Sequence, residues 1–139
     1  MPNSQFSRAV DHVTDTVVVK TLSLEMVHGD PSSQKRIETQ TLHYDGREWY
    51  AYTYEWNDEQ TDAVLVDRAG KNKSITVADA REPNGKRMQT WRFSSRNECL
   101  RCHNPWSEYT LAFNVPQLNR NHKYGDIEDN QIRSLRHIG

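Results

Sequence analysis

The sequence predicts an α+β protein: a mostly antiparallel β-sheet or small sandwich over the first two thirds, then a short helical segment and a C-terminal helix. Three observations predict it. Runs of alternating residues recur up to residue 93 with turn residues between them. The strongest short hairpin signal, Asp45-Gly46, separates two of those runs. Ser95-Arg96-Asn97-Glu98 then has the form of a helix capping box.

The first strand is expected over residues 17–26. There Val18, Leu22, Leu24 and Met26 fall in phase on one face, and Val17, Val19, Thr21 and Ser23 on the other, up to the turn signal Gly29-Asp30-Pro31. Residues 36–44 and 48–56, rich in Thr, Tyr and Trp, form the second and third strands around Asp45-Gly46. Shorter strands follow at 63–66, 74–77 and 88–93, divided by Arg68-Ala69-Gly70-Lys71 and Glu82-Pro83-Asn84-Gly85. In the capping box the Ser95 hydroxyl and the Glu98 carboxylate each satisfy a backbone donor at a helix start. The helix carries Cys99, Leu100, Arg101, Cys102 and His103, and ends close to Pro105, because the residue before a proline is pushed out of the helical region. A last helix over residues 126–138 places Ile127, Gln131, Leu135 and Ile138 along one stripe.

A length of 139 residues argues for one domain, residues 1–139, β-rich over about 14–93 and helical over about 94–139. With 18 Lys and Arg against 19 Asp and Glu, the net charge of -1 argues against a nucleic-acid or acidic-membrane binder driven by bulk charge. No apolar run approaches the roughly 20 residues that a membrane-spanning helix needs. At 35% hydrophobic residues and a mean hydropathy of -0.96, the chain is poor in core-forming side chains. The first residues, Met1-Pro2-Asn3-Ser4-Gln5-Phe6, carry no signal-peptide pattern, and the chain stops within an amphipathic segment, so a longer parent protein is expected.

The chemistry lies in Cys99-Leu100-Arg101-Cys102-His103, the C-x-x-C-H haem attachment motif, which uses every cysteine in the chain. On a helix all three side chains are expected on one face. Two thiols at that spacing form thioethers to the two vinyl groups of one porphyrin, and the adjacent imidazole reaches the iron from the proximal side. Three other readings compete. A structural zinc site needs four ligands, and there is no second C-x-x-C and no H-x3-5-H, so a distant His such as His122 would have to join. A thioredoxin-like pair expects a βαβ context, whereas the preceding chain reads as antiparallel. A plain disulfide leaves His103 unexplained.

Trp91, Phe93, Trp106, Tyr109, Leu111, Phe113 and Leu118 flank the motif as candidate pocket walls, and Arg96, Arg120 and Lys123 as partners for propionates. Ordinary core is the better explanation of any single aromatic among them, and a charged face in water explains the cations equally well. No Met follows Cys99, so a sulfur ligand on the distal side of the iron must come from the β-rich part. Met26, in phase with Leu22 and Leu24, is preferred to Met88. His28, His43, His122 and His137 are the alternatives, as is an open sixth position. Trp56-Asn57-Asp58-Glu59 with Asp62 matches no calcium-loop spacing, and haem iron is the one metal expected.

The chain also resembles a family of bacterial cytochrome-like domains found attached to sugar-dehydrogenase-like propellers or to other c-type cytochrome modules in exported proteins. The resemblance rests on residues 16–21, 36–40 and 52–63, then on Trp91-Arg92-Phe93-Ser94-Ser95-Arg96-Asn97-Glu98 leading into the C-x-x-C-H element, and on residues 117–120 and 130–132. It implies one covalently bound haem c anchored by Cys99 and Cys102, with His103 as proximal ligand. It further implies an exported, periplasmic parent and a redox partner protein or fused dehydrogenase domain. The expected function is one-electron transfer by a monohaem c-type cytochrome domain. Catalysis by the domain itself is not expected, since no nucleophile and base pair and no phosphate-cradling loop are present. The alternatives are a haem-based sensor or small-ligand binder with an open sixth position, and a zinc-stabilised interaction module.

Overall fold

The structure is a computed structural model that describes residues 12–138. The described residues divide into two compact units: 13–102, and 103–138 together with His12.

The first unit is built on a four-stranded antiparallel sheet of order β1-β2-β3-β4, comprising β1 (Val17–Glu25), β2 (Gln34–Tyr44), β3 (Trp49–Trp56) and β4 (Ala63–Leu65). The alternation along β1 is the expected one: Val18, Leu22 and Leu24 are more buried than Val17, Val19, Thr21 and Ser23. A register shift between Leu22 and Ser23 marks a bulge against β2. The hairpin at Asp45-Gly46 forms as its sequence predicts. Asp45 Oδ1 accepts from the backbone N–H groups of Arg47 (2.8 Å) and Glu48 (2.7 Å), Gly46 takes a left-handed φ of 93°, and Tyr44 stacks on Trp49 at 5.2 Å.

A two-stranded antiparallel ribbon, β5 (Lys71–Ala78) and β6 (Lys86–Phe93), supplies the second layer. Both strands run longer than the alternation alone predicts, because Lys and Asn at their ends pair in the ladder regardless of hydrophobicity. Along β6, Arg87, Gln89, Trp91 and Phe93 are the sheltered residues, and Lys86, Met88, Thr90 and Arg92 the exposed ones. The ribbon is joined to the sheet by a parallel bridge, Val27 to Ala78, and by polar side chains. Trp91 Nε1–H donates to Glu38 Oε2 (2.8 Å), while Lys71 and Lys73 pair with Glu55. The apolar core is small: Leu42, Trp49, Ala51, Val66, Ile75, Val77 and Phe93. Glu38, Thr53 and Asp79 are buried in the same unit. Asp79 is clamped by Arg81 through two bonds, to Oδ1 (2.9 Å) and Oδ2 (2.8 Å), which hold its carboxyl well below the usual carboxylate range.

The second unit contains a 3-10 turn (Pro105–Ser107), a one-turn helix (Val115–Leu118), a hairpin of β7 (Asn121–Tyr124) and β8 (Ile127–Asn130), and a C-terminal helix, Gln131–Ile138. The expected helix over 126–138 is therefore corrected in its first part. Gly125, at a φ of 65°, turns the chain back, and residues 127–130 pair with β7. The helix starts only after Asn130, whose Oδ1 accepts from the N–H of Ile132 (3.0 Å) and of Arg133 (3.3 Å).

Candidate functional site

The first helix, α1 (Arg96–Cys102), packs on β3 and closes the first unit. Its start is the expected capping box: Glu98 N–H donates to Ser95 Oγ (3.1 Å) and Ser95 N–H to Glu98 Oε2 (2.7 Å). Arg92 adds a charged bond to the same carboxylate oxygen (2.8 Å). Together these bonds pull the Glu98 carboxyl down to about 2. The turn before β5 braces this start, with Arg96 N–H donating to Arg68 O (3.0 Å). Gly70, at a φ of 70°, lies so close that a Cβ there would run into Phe93 O and sit 2.7 Å from Ser95 N.

The two cysteines are not joined in a disulfide; Cys99 is half-buried and Cys102 exposed at the end of α1. Burial pushes the Cys99 thiol up, and the negative charge of Glu38 pushes it the same way, against a hydrogen bond with Thr53. Arg96 lies over the Tyr52 ring, 5.1 Å from its centroid.

His103 is not on the helix with the two cysteines, which corrects the expectation that all three share one helical face: α1 ends at Cys102. The reason is Pro105, which forces Asn104 into an extended conformation (φ -135°, ψ 174°). Asn104 Oδ1 then caps the 3-10 turn, accepting from Trp106 N–H (3.0 Å) and Ser107 N–H (3.2 Å). Beyond that turn Glu108 and Tyr109 are both left-handed, with φ of 55° and 64°, at a cost of about 1 kcal/mol or more each. The Tyr109 carbonyl accepts from His103 Nδ1 at 2.5 Å. A carbonyl only accepts, so Nδ1 is the donor in this bond, and in the neutral ring that tautomer puts the lone pair on Nε2. Sequence reasoning missed this partner, because any residue type supplies a carbonyl and only the two left-handed residues aim this one.

Within the second unit Trp106 is 95% exposed, and Leu111, Phe113 and Val115 stand 50%, 43% and 38% exposed. Trp106, Leu111 and Ala112 line an open hollow of about 500 Å³ together with Asn104, Thr110 and Asn114. Of the other flanking aromatic residues, Trp91 and Phe93 belong to the sandwich interior, where Phe93 is fully buried.

Met26 follows β1, half-buried, in a groove of about 230 Å³ beside Arg36, Trp56 and Ile75. Met88 is 63% exposed on the outer face of the ribbon, and its sulfur accepts from the Thr76 hydroxyl (3.3 Å). His43 Nε2 lies 3.5 Å from Asp15, and His28 is close enough to Asp79 to lower its pKa further. His122 meets Tyr124 edge-on at 4.9 Å, and His137 lies in the last turn of the C-terminal helix. Arg120 donates to Gln131 (3.3 Å), and Lys123 is exposed on β7. The acidic stretch after Trp56 is a turn organised by Asn57, whose Oδ1 accepts from Thr61 N–H (3.0 Å) and Asp62 N–H (3.2 Å).

Among the described residues no three His, Cys, Asp or Glu side chains gather as a metal-ion site. Haem attachment asks for no such cluster, since its two thiols bond to porphyrin carbons. No helix among the described residues is long and apolar enough to cross a membrane. No protein family, curated protein or solved structure matches the chain.

Proposed function

We propose that the chain is a monohaem c-type cytochrome domain that carries single electrons, with haem c on Cys99 and Cys102 and His103 as the proximal iron ligand. The observation that carries this reading is the hydrogen bond from His103 Nδ1 to the Tyr109 carbonyl. A metal-ligating imidazole is oriented by giving its other ring proton to a fixed acceptor, which sets the tautomer and raises the basicity of the ligating nitrogen. The donor set fits the group: two thiols at the attachment spacing, one imidazole with Nε2 left as base, and no second thiol pair to satisfy zinc. The exposed Trp106, Leu111 and Phe113 supply apolar surface that a porphyrin ring would cover.

The bound haem supplies a one-electron couple between ferric and ferrous iron. This chain's residues do the rest. Cys99 and Cys102 hold the ring covalently, and α1, fixed by Ser95, Glu98 and Arg92, holds the two thiols. The Tyr109 carbonyl, accepting from His103 Nδ1, would fix the orientation of the ring towards the iron. Met26 is the candidate sixth ligand in preference to Met88, whose sulfur is turned outward and engaged by Thr76. The electron donor or acceptor is a redox partner protein or a fused dehydrogenase domain of an exported parent.

The test is a visible spectrum, oxidised and dithionite-reduced, of protein made in an export-competent host with cytochrome maturation functions. A sharp reduced α-band that survives acid-acetone extraction is expected. A colourless, folded, zinc-containing protein would replace the proposal with a zinc-stabilised interaction module. Carbon monoxide binding to the reduced form reports the sixth position: a bound Met resists it, an open sensor-like site does not.

A further inference from the structure

Among the described residues of the second unit one is buried, Thr110, at 7% exposed, and it is polar. Its Oγ1 shares a hydrogen bond of 3.1 Å with Nε2 of His12, a half-buried side chain 98 residues earlier in the chain. Thr110 also follows Tyr109, the residue whose carbonyl accepts from His103 Nδ1. The Tyr109 carbonyl and the Thr110 N–H belong to one planar peptide unit, so a hold on Thr110 is a hold on the direction of that carbonyl.

The segment needs such a hold. Glu108 and Tyr109 are both left-handed, and Thr110 N–H donates to Glu108 O (2.8 Å) across a three-residue turn centred on Tyr109. Turns of that kind with a positive central φ are strained, and strained residues persist only where their surroundings fix them. On the near side of Tyr109, its N–H donates to Asn104 O (2.9 Å) and fixes one peptide plane. On the far side, which carries the carbonyl, the bond between His12 and Thr110 does the same.

We propose that His12 is a positioning residue for the proximal ligand: by holding Thr110 it fixes the peptide plane whose carbonyl orients the His103 ring. The proposal rests on the haem reading above. An acceptor fixed on Nδ1–H raises the basicity of Nε2, and a more basic axial ligand favours ferric over ferrous iron. Releasing the carbonyl therefore shifts the couple towards ferrous iron, the one electron coming from the redox partner.

The experiment pairs a variant that removes the bond with one that keeps it. His12→Leu removes the ring nitrogen and His12→Gln keeps an amide at the same reach; Thr110→Val removes the hydroxyl and Thr110→Ser keeps it. In unloaded protein at about pH 8.5, where imidazoles are neutral, nitrogen NMR reads which ring nitrogen of His103 carries the proton. The ratio of the Nδ1–H to the Nε2–H form is expected to fall about threefold or more in His12→Leu and Thr110→Val, the ordinary effect of one neutral hydrogen bond. It is expected to stay near wild type in His12→Gln and Thr110→Ser. An unchanged ratio in His12→Leu, or an equal fall in His12→Gln, would overturn the proposal. Where His12→Leu does not fold, Thr110→Val against Thr110→Ser decides by the same reading.

The second arm uses haem-loaded protein. The ferrous to ferric ratio at a fixed potential is expected to rise about threefold in His12→Leu and to return to the wild-type value in His12→Gln. A ratio that does not move, or that moves equally in both variants, would also overturn the role of His12. A protein that takes up no haem while its His103 ring responds to His12 would instead overturn the haem reading and leave the positioning role standing.

Discussion

Glu98 is held ionised by the Ser95 backbone N–H first and by the Arg92 guanidinium second, which bring its carboxyl from an ordinary 4.5 to about 2. A carboxyl whose folded value is depressed stabilises the fold above its unfolded value and loses that contribution as pH falls through the folded one. The cap of α1 is therefore expected to be complete above about pH 4.5 and to fade towards about pH 2. Asp30, Asp45, Glu55, Asp79 and Asp129 are lowered too, so the wild type alone does not isolate it. The difference in thermal midpoint between wild type and Glu98→Gln should be largest at neutral pH and vanish towards about pH 2; a constant difference would show that the carboxylate charge is not what holds the cap. At this scale the sequence is informative where the side chain itself carries the chemistry. Ser95, Glu98, Cys99, Cys102 and His103 are all legible as residue types at a spacing. Tyr109 is not, because its contribution is a carbonyl, and Glu38 is not, because its burial depends on a ribbon that arrives much later in the chain.

Among the elements, α1 depends on the turn that leads into β5. Gly70 combines a φ of 70° with backbone atoms where a Cβ would lie, so Gly70→Ala is strained on both counts. We expect it to destabilise the protein by about 1 to 3 kcal/mol, read as a lower midpoint in urea unfolding with an unchanged slope. A neutral result would mean that the segment from Phe93 to Ser95 yields without cost. The strands of the sheet were legible because alternation and the Asp45-Gly46 turn agree. The β7 and β8 hairpin was not, because residues 121–130 are polar apart from Tyr124 and Ile127 and almost wholly exposed, with no alternation to display. Ile127 fitted the helical stripe of Gln131, Leu135 and Ile138 by period alone, and Asn130 as a cap is the signal that would have separated them.

For the whole molecule, low hydrophobicity leads to a small apolar core supplemented by buried Glu38, Thr53 and Asp79, and to large apolar side chains left on the surface. Unloaded protein is accordingly expected to bind the dye ANS through surfaces such as Trp106, Leu111 and Phe113, and haem-loaded protein to bind clearly less. Equal dye fluorescence from the two would mean that the haem covers none of them. The same composition, read in the sequence, gave the expectation of a poor core but not where the polar groups would be buried, since that depends on how the ribbon meets the sheet.

The parallel bridge between Val27 and Ala78 also sets the order in which the first unit forms. Each hairpin, β2 with β3 and β5 with β6, closes over a short turn, so its pairing needs little loop entropy. The bridge closes a loop that contains the whole of β2, β3 and β4 and β5 up to its last residue, with Ala78 N–H donating to Met26 O (2.9 Å) and His28 N–H to Ala78 O (2.8 Å). Such a contact becomes favourable only after the pairing of β2 with β3 has shortened the chain between its ends. The two layers thus dock late, and until they do, Glu38 lies open to water and Trp91 has no carboxylate to meet.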